Sequence, residues 1–520
     1  MIEQLKKIAG CAPMLLLTQL TAVAQNKPDS SRVLLNNTIE REKWSAYTFT
    51  PSGIRQAGYA FTQVGLSYGF EAGDLRFPQQ AQSQQNIKLN TRGLASIKRW
   101  TLYGEFNYSR NLYDSLGFAH RTDYMEPNPY YLASVKAGHW DEEIYHLKGL
   151  ATYDLGKRWS VGAGVVYDVA NGARNIDPRP AYDKYRLNML ADVAFTPATN
   201  VKISLGAQYG YGTDKTSVNY SNDAEHNIPS ATNYLVYDFM GYGYYLPRIQ
   251  NTVQSRSMLR ALNATVSAPV AGGQIFTSLR YQYRKDTLFR DFTGSSGVEN
   301  RKLGVFRLKT YGGTIAWTRK AATQWDFFLD AAMQEGKDMN YVVLNGFNYR
   351  YIHDYTRAMV SNSRYPAFNA GRTYTVAAEV HNIQKLDGNT EHKLYAVYGN
   401  VSATARWHLP AANNNGWLLE VQPGAYLDMG TSLRLPANQE SLFTKGVAYP
   451  EWQYYKTNKL NVAAKAGYIK QLRNHQYALF YLAMKGETAL NAYDAPVTAD
   501  GTFYPHGSRY GLSANLTFNF

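Results

Sequence analysis

From about residue 59 to its last residue, this chain is written in rows of roughly ten residues in which apolar and polar side chains alternate. Tyr185, Leu187, Met189, Ala191, Val193 and Phe195 form one apolar row, with Arg186, Asn188, Leu190 and Asp192 between them. Val201, Ile203, Leu205, Ala207, Tyr209 and Tyr211 form the next, after a short connection over 196–200. Rows of the same kind start at Trp159, Ile275, Trp325 and Leu460. Successive side chains of a strand point to opposite faces, so period-two alternation describes a strand with one face in an apolar medium and one in a polar medium. A strand tilted across a bilayer needs about ten residues, whereas strands of soluble sandwiches average about five or six. The lengths favour a membrane.

Composition separates the two ways of crossing one. A membrane helix needs about 18 or more consecutive apolar residues. Past residue 25 the chain has no such run, and its mean hydropathy is −0.42. A barrel escapes that test, because half of every strand faces a polar interior. The 43 Tyr, at twice the 21 Phe, suit girdles whose rings sit in lipid while their hydroxyls reach water.

The N-terminus carries an export signal pattern. Lys6 and Lys7 precede the apolar stretch from Met14 to Val23, and Ala22-Val23-Ala24 presents small residues for cleavage before Gln25. Residues 1–24 are therefore expected to be a signal peptide. Cys11 is the only cysteine, so a mature chain starting at Gln25 has no disulfide and no thiolate metal site. The net charge of +14 becomes +13 without the signal. In this compartment lipopolysaccharide or an anionic solute accounts for the excess better than nucleic acid does.

Connections alternate short and long. Tight ones fall at 98–99, 156–158, 196–200, 269–273, 320–323 and 470–474, and longer polar ones at 113–141, 171–184, 213–255, 285–304, 336–392, 429–456 and 488–507. Short turns belong on the periplasmic side of outer-membrane barrels and long loops outside. Trp100, Trp159, Trp317, Trp325, Trp407 and Trp417 all lie within a few residues of the short turns, as a periplasmic girdle requires. The expected fold is all-β: a transmembrane antiparallel up-and-down barrel over 59–520, with about 16 strands within a range of 14–18. The stretches 234–246 and 372–383 alternate but read equally as membrane strands or as hairpins outside the bilayer. Residues 25–58 do not read as strand and form either a loose periplasmic tail or a segment folded into the lumen as a plug.

The closing strand, Tyr510 to Phe520, ends the chain on an aromatic residue. In this it resembles bacterial outer-membrane barrels, where such a terminal Phe is read by the barrel-assembly machinery; Phe520 is the corresponding insertion signal. The whole layout resembles uncharacterised outer-membrane β-barrel proteins of Bacteroidota and has some similarity to plugged outer-membrane channels. The Asn-Pro-Ala start expected of fatty-acid channels is missing after Gln25, and 34 residues cannot supply the plug domain of a TonB-dependent receptor.

No residue pattern calls for a catalytic site, a resident metal or a cofactor. His353-Asp354 is an adjacent pair, but neighbours in a strand point to opposite faces. Tyr349, Tyr351, His353 and Tyr355 share one face and are expected to form an extracellular aromatic binding row. Asn222, Asp223 and Glu225 offer oxygen ligands but read as a solvated acidic turn. Arg186, Arg280, Arg307 and Lys309 are expected to face the lumen and to set its selectivity. The function these features imply is a channel or transporter for small anionic or amphipathic solutes. The alternative is a non-transporting surface-binding barrel, or an accessory of an uptake or secretion complex.

Overall fold

The computed structural model describes residues 38–57, 60–221, 235–248, 252–294, 297–342, 345–367, 370–436, 441–472, 476–491 and 504–520. The expected signal peptide, residues 25–37 of the N-terminal segment and the acidic turn at 222–225 lie outside them. In chain order the strands are β1 (Phe61–Gly73), β2 (Ser83–Ile97), β3 (Trp100–Leu116), β4 (Tyr130–Ala133), β5 (Gly138–Asp154), β6 (Trp159–Arg174) and β7 (Arg179–Ala198). They continue as β8 (Val201–Asn219), β9 (Val236–Met240), β10 (Tyr245–Arg248), β11 (Thr252–Val270), β12 (Gly273–Gly294), β13 (Gly297–Lys320) and β14 (Gln324–Asn340). The last are β15 (Tyr349–Ala367), β16 (Ala370–Asp387), β17 (Lys393–Pro410), β18 (Gly416–Arg434), β19 (Lys459–Gln471), β20 (Tyr477–Ala489) and β21 (Ser508–Asn519). Helix α1 (Thr38–Tyr47) and a 3-10 turn (Pro51–Ala57) precede the strands, and a π-helical turn (Thr444–Ala448) leads into α2 (Tyr449–Lys456).

Eighteen of these strands form one sheet in which each pairs antiparallel with its sequence neighbour. β1 closes it by pairing with β21, from Gln63 opposite Asn519 to Gly73 opposite Arg509. Closure leaves no open sheet edge, the condition for a sheet to cross lipid. The count sits at the top of the expected range, because 336–392 is not a loop. β15 and β16 occupy most of it and pair from Tyr349 opposite Asp387 to Ala367 opposite Ala370. The other ambiguous stretch, 234–246, does not cross. There β9 pairs with β4 and β10 in a separate three-stranded sheet.

The outer face is apolar. Tyr185, Met189 and Val193 are exposed on β7, while Leu190, Asp192 and Ala194 between them are buried. Trp100, Trp159, Trp325 and Trp417 are each about half exposed on that face, beside the short turns. Trp100 packs on Tyr153 and Trp159 on Phe195, with ring centroids 4.7 and 4.6 Å apart. Trp317 donates to the Val270 carbonyl at 3.0 Å, and Trp407 meets Tyr374 edge-on. This is an outer-membrane β-barrel. Its outer surface can be solvated only by lipid, and its tryptophans mark one interface.

Eighteen strands enclose more space than wall side chains can fill. Here the space is taken by protein. From below, α1 and the 3-10 turn enter between the walls: Ile39 is fully buried among Phe276, Ala316, Phe328 and Met359, and Trp44 packs against Phe61 and Tyr103. From above, the β4–β9–β10 sheet and the 441–456 segment fold inward. Leu132, Phe239, Phe443 and Tyr455 build one apolar core with the wall residues Phe306, Leu308, Tyr349 and Leu394.

Candidate functional site

Two inserted layers define the site: the N-terminal segment below and the outer loops above. Both are tied to the wall by charge as well as by apolar packing. In α1, Lys43 donates to Glu40 at 2.7 Å and to Asp326 of β14 at 2.8 Å, while Glu42 accepts from Arg357 of β15 at 2.9 Å. Burial alone would lower the Lys43 pKa, but Glu40 and Asp326 hold it above the ordinary lysine value. In the 3-10 turn Arg55 is ion-paired with Asp154, and the Ser52 amide donates to Asp192 at 2.8 Å. Lys202 donates to the Ser52 carbonyl at 2.9 Å, and Thr152 to that of Pro51 at 2.7 Å. Lumen-facing charges of five strands thus close on a segment of twenty residues.

The upper layer follows the same plan. Glu126, from the loop between β3 and β5, reaches down to Arg284 of β12 and stands 3.9 Å from Arg186 of β7. Burial would raise the Glu126 carboxyl, but the two guanidiniums hold it well below the usual carboxylate range. In α2, Glu451 accepts from Lys385 of β16 at 2.5 Å and from Tyr242 at 3.1 Å.

Between the layers an aromatic band runs over the inner wall. His353 and His381 stack at 5.4 Å with ring nitrogens 3.1 Å apart. His381 stacks on Tyr398 at 4.7 Å, Tyr398 on Tyr426 at 4.7 Å, and the Lys459 ammonium lies 3.7 Å from the Tyr426 ring centroid. Tyr355 donates to Asp330, which also accepts from Thr314 at 2.6 Å. Among the described residues no cluster of three His, Cys, Asp or Glu side chains stands close enough to hold a metal ion. A cavity of about 40 Å³, room for a water or two, remains beside Tyr349, Tyr351, Lys385 and Tyr455. A wider recess of about 540 Å³ opens at the periplasmic mouth beside Arg55, Asp154 and Lys202.

The expected site residues divide accordingly. Tyr349, Tyr351, His353 and Tyr355 do share a face, but it is the lumen wall and not an extracellular extension; Tyr349 and Tyr351 are 5% and 4% exposed under the inserted loops. Arg186 and Arg280 face inward, Arg186 toward Glu126 and Arg280 against the Phe49 ring at 4.8 Å. Arg307 and Lys309 do not line the lumen. They share the parity of exposed Tyr311 on β13, while Phe306, Leu308 and Thr310 point inward and are buried. The reason is physical: the upper lumen holds an apolar protein core, so an apolar row there marks the inside. Glu126, Arg284, Lys385 and Tyr398 complete the site. Arg284 was legible from its parity with Arg280, whereas nothing in the sequence marks the loop residue Glu126.

Residues 51–520 match the family model described as "Family of unknown function (DUF6850)", and the chain belongs to that family. No curated protein matches it. Among solved structures it is similar to the ferric preacinetobactin receptor BauA of Acinetobacter baumannii, at 10% identity over 89% of this chain and 80% of that one, with a TM-score of 0.37. The copper transporter OprC aligns at 8% identity over 88% and 80%, with a TM-score of 0.39. A mutant of the monoaromatic hydrocarbon channel TodX aligns at 11% over 91% and 93%, with a TM-score of 0.30. Likeness at this level assigns neither a function nor a ligand.

Proposed function

We propose that this protein is a gated outer-membrane channel or transporter for small anionic or amphipathic solutes, with residues 38–57 as the gate. One observation carries the proposal: that segment is held across the bore by ion pairs and single hydrogen bonds from many strands. Its apolar anchors are two small clusters, around Ile39 and around Ile54, and not one continuous interface, so polar contacts that can be exchanged with water make up much of the seam. Behind the gate stand Arg186, Arg280, Arg284 and Lys385, a basic set suited to anions once their present partners withdraw. We also place the chain among Bacteroidota barrels assembled through the Phe520 strand, on the sequence features that suggested it.

Single-channel recording of the mature chain, with and without residues 25–57, tests the proposal. The expected outcome is a closed or weakly conducting intact protein and steady conductance after truncation. Silence in both forms would overturn it and favour the second reading, a non-transporting surface-binding or accessory barrel. The apolar core that the outer loops form inside the upper lumen supports that alternative.

A further inference from the structure

The two basic residues displaced from the lumen belong to a different surface. Lys285 of β12 stands directly opposite Arg307 of β13, Arg307 opposite Lys337 of β14, and Lys337 opposite Arg350 of β15. Four adjacent strands thus present a cation each, at one level, on the outer face. One level below, the register runs Arg260, Tyr283, Lys309 and Glu335. Like charges directly opposite one another across a sheet are destabilising. The only carboxylate in these two levels is Glu335, which already serves Lys337 at 2.9 Å and Arg350 at 3.4 Å. Among the described residues Lys285 and Arg307 form no ion pair, and Lys309 has only Glu335 opposite it, which it shares with Lys337 and Arg350.

Height identifies what meets this patch. Arg307 lies ten residues along β13 from Trp317 of the periplasmic girdle. That is about 33 Å of strand and, at a tilt of roughly 40°, about 25 Å along the barrel axis, the height of the apolar band. Immediately below the two levels, Tyr281 and Tyr311 pair at 5.2 Å in the position of an outer aromatic girdle. The cations therefore stand at the outer lipid interface, on a surface wrapped by lipid. The face around β3 and β5 differs: there Arg110 is neutralised by Asp141 at 2.6 Å, with Glu143 alongside.

We infer that the outer face of β11–β15 binds the phosphorylated headgroup of an outer-leaflet glycolipid. Phosphate oxygens would bridge the cation row across strands, with charge-assisted bonds from Arg307 and Arg350 and point charges from Lys285, Lys309 and Lys337. Tyr281 and Tyr311 would lie against the sugar or the first acyl carbons.

The test uses the folded mature chain in detergent, with bis-phosphorylated lipid A, its dephosphorylated counterpart and inorganic phosphate as probes, read by native mass spectrometry. The phosphorylated lipid should bind far more tightly than the other two. Replacing Lys285, Arg307, Lys309 and Lys337 together with Gln should weaken it on the order of a hundredfold. The same charge removed from the periplasmic turns, at Lys98, Arg99, Lys157 and Arg158, should leave it unchanged. The double variant Arg307→Gln and Lys309→Gln, checked for heat-modifiable mobility, serves if the quadruple variant fails to fold. Equal affinity for the dephosphorylated lipid, full competition by inorganic phosphate, or unaltered binding in a folded variant would each overturn the inference.

Discussion

Lys43 and Asp326 meet at 2.8 Å with side chains only 5% and 0% exposed, so the helix is fastened to the wall by a buried ion pair. Breaking a buried pair from one side costs about 3–5 kcal/mol when it strands the other charge; here Lys43 keeps Glu40 at 2.7 Å, so the loss is smaller. Asp326→Asn should therefore release α1 locally while the barrel stays closed, seen as faster tryptic cleavage at Arg41. Lys43→Gln combined with Asp326→Asn removes both charges and should recover much of the protection. Because the Lys43 pKa is raised, the contribution is complete below the unfolded lysine value of about 10.4 and fades only above it. The fastening should not respond to pH between about 6 and 9.

The loop between β3 and β5 should respond to acid instead. His120 is 2% exposed, with Nε2 3.0 Å from the Ser134 hydroxyl, and burial together with Arg174 pushes its pKa well below the ordinary value. A depressed folded pKa means full stabilisation above about 6.5, declining as pH falls and the unfolded loop takes up a proton. Hydrogen-exchange protection over 117–137, corrected for intrinsic rates, should drop between about pH 7 and 5. His120→Gln should remove that pH dependence.

Deleting Phe520 tests its expected role as an insertion signal apart from its part in stability. The Phe520 amide donates to the Thr62 carbonyl at 2.9 Å, and the Thr62 amide returns a bond at 3.3 Å, so Phe520 adds two backbone bonds to the β1–β21 seam. Two such bonds are worth about 1 kcal/mol each. Deleting Phe520 should shift the urea midpoint of refolded protein only slightly, yet sharply reduce the folded barrel recovered from outer membranes. Equal losses in both assays would mean that the residue acts through stability alone.

The parts of the fold written in lipid contact were legible in the chain, and those written in protein contact were not. The alternation from Tyr185 to Phe195 and the tryptophans by the short turns follow from the bilayer, which imposes one rule on every strand. At Phe306 and Leu308 the same rule misleads, since their apolar surroundings come from residues distant in sequence, such as Tyr130, Phe239 and Phe443. Nor does the polarity of Glu40–Lys43 say whether water or the wall receives it; contacts nearly 300 residues away decide. Phe306→Ala should cost about 3–5 kcal/mol and raise hydrogen exchange in β9 and β10. Were Phe306 lipid-facing, exchange there would not change.

Arg186 and Arg280 remain the lumen cations on which selectivity can be tested, and their exterior counterparts supply the control. A unit charge about 8 Å from a permeating ion contributes roughly 0.5 kcal/mol in water, favourable for an anion and unfavourable for a cation, so the ratio of the two permeabilities changes by a factor of about five. In the chain lacking residues 25–57, Arg280 loses Phe49 and faces the open bore, while Arg186 keeps Glu126 at 3.9 Å. Arg280→Gln should therefore lower the anion-to-cation permeability ratio about fivefold, with a smaller further loss from Arg186→Gln, read from reversal potentials in a salt gradient. Arg307→Gln and Lys309→Gln, on the far side of the wall, should leave the ratio where it was. A change with the exterior pair and none with Arg280 would reverse the assignment of the two faces of β13 and remove the basis for both the lumen set and the glycolipid patch.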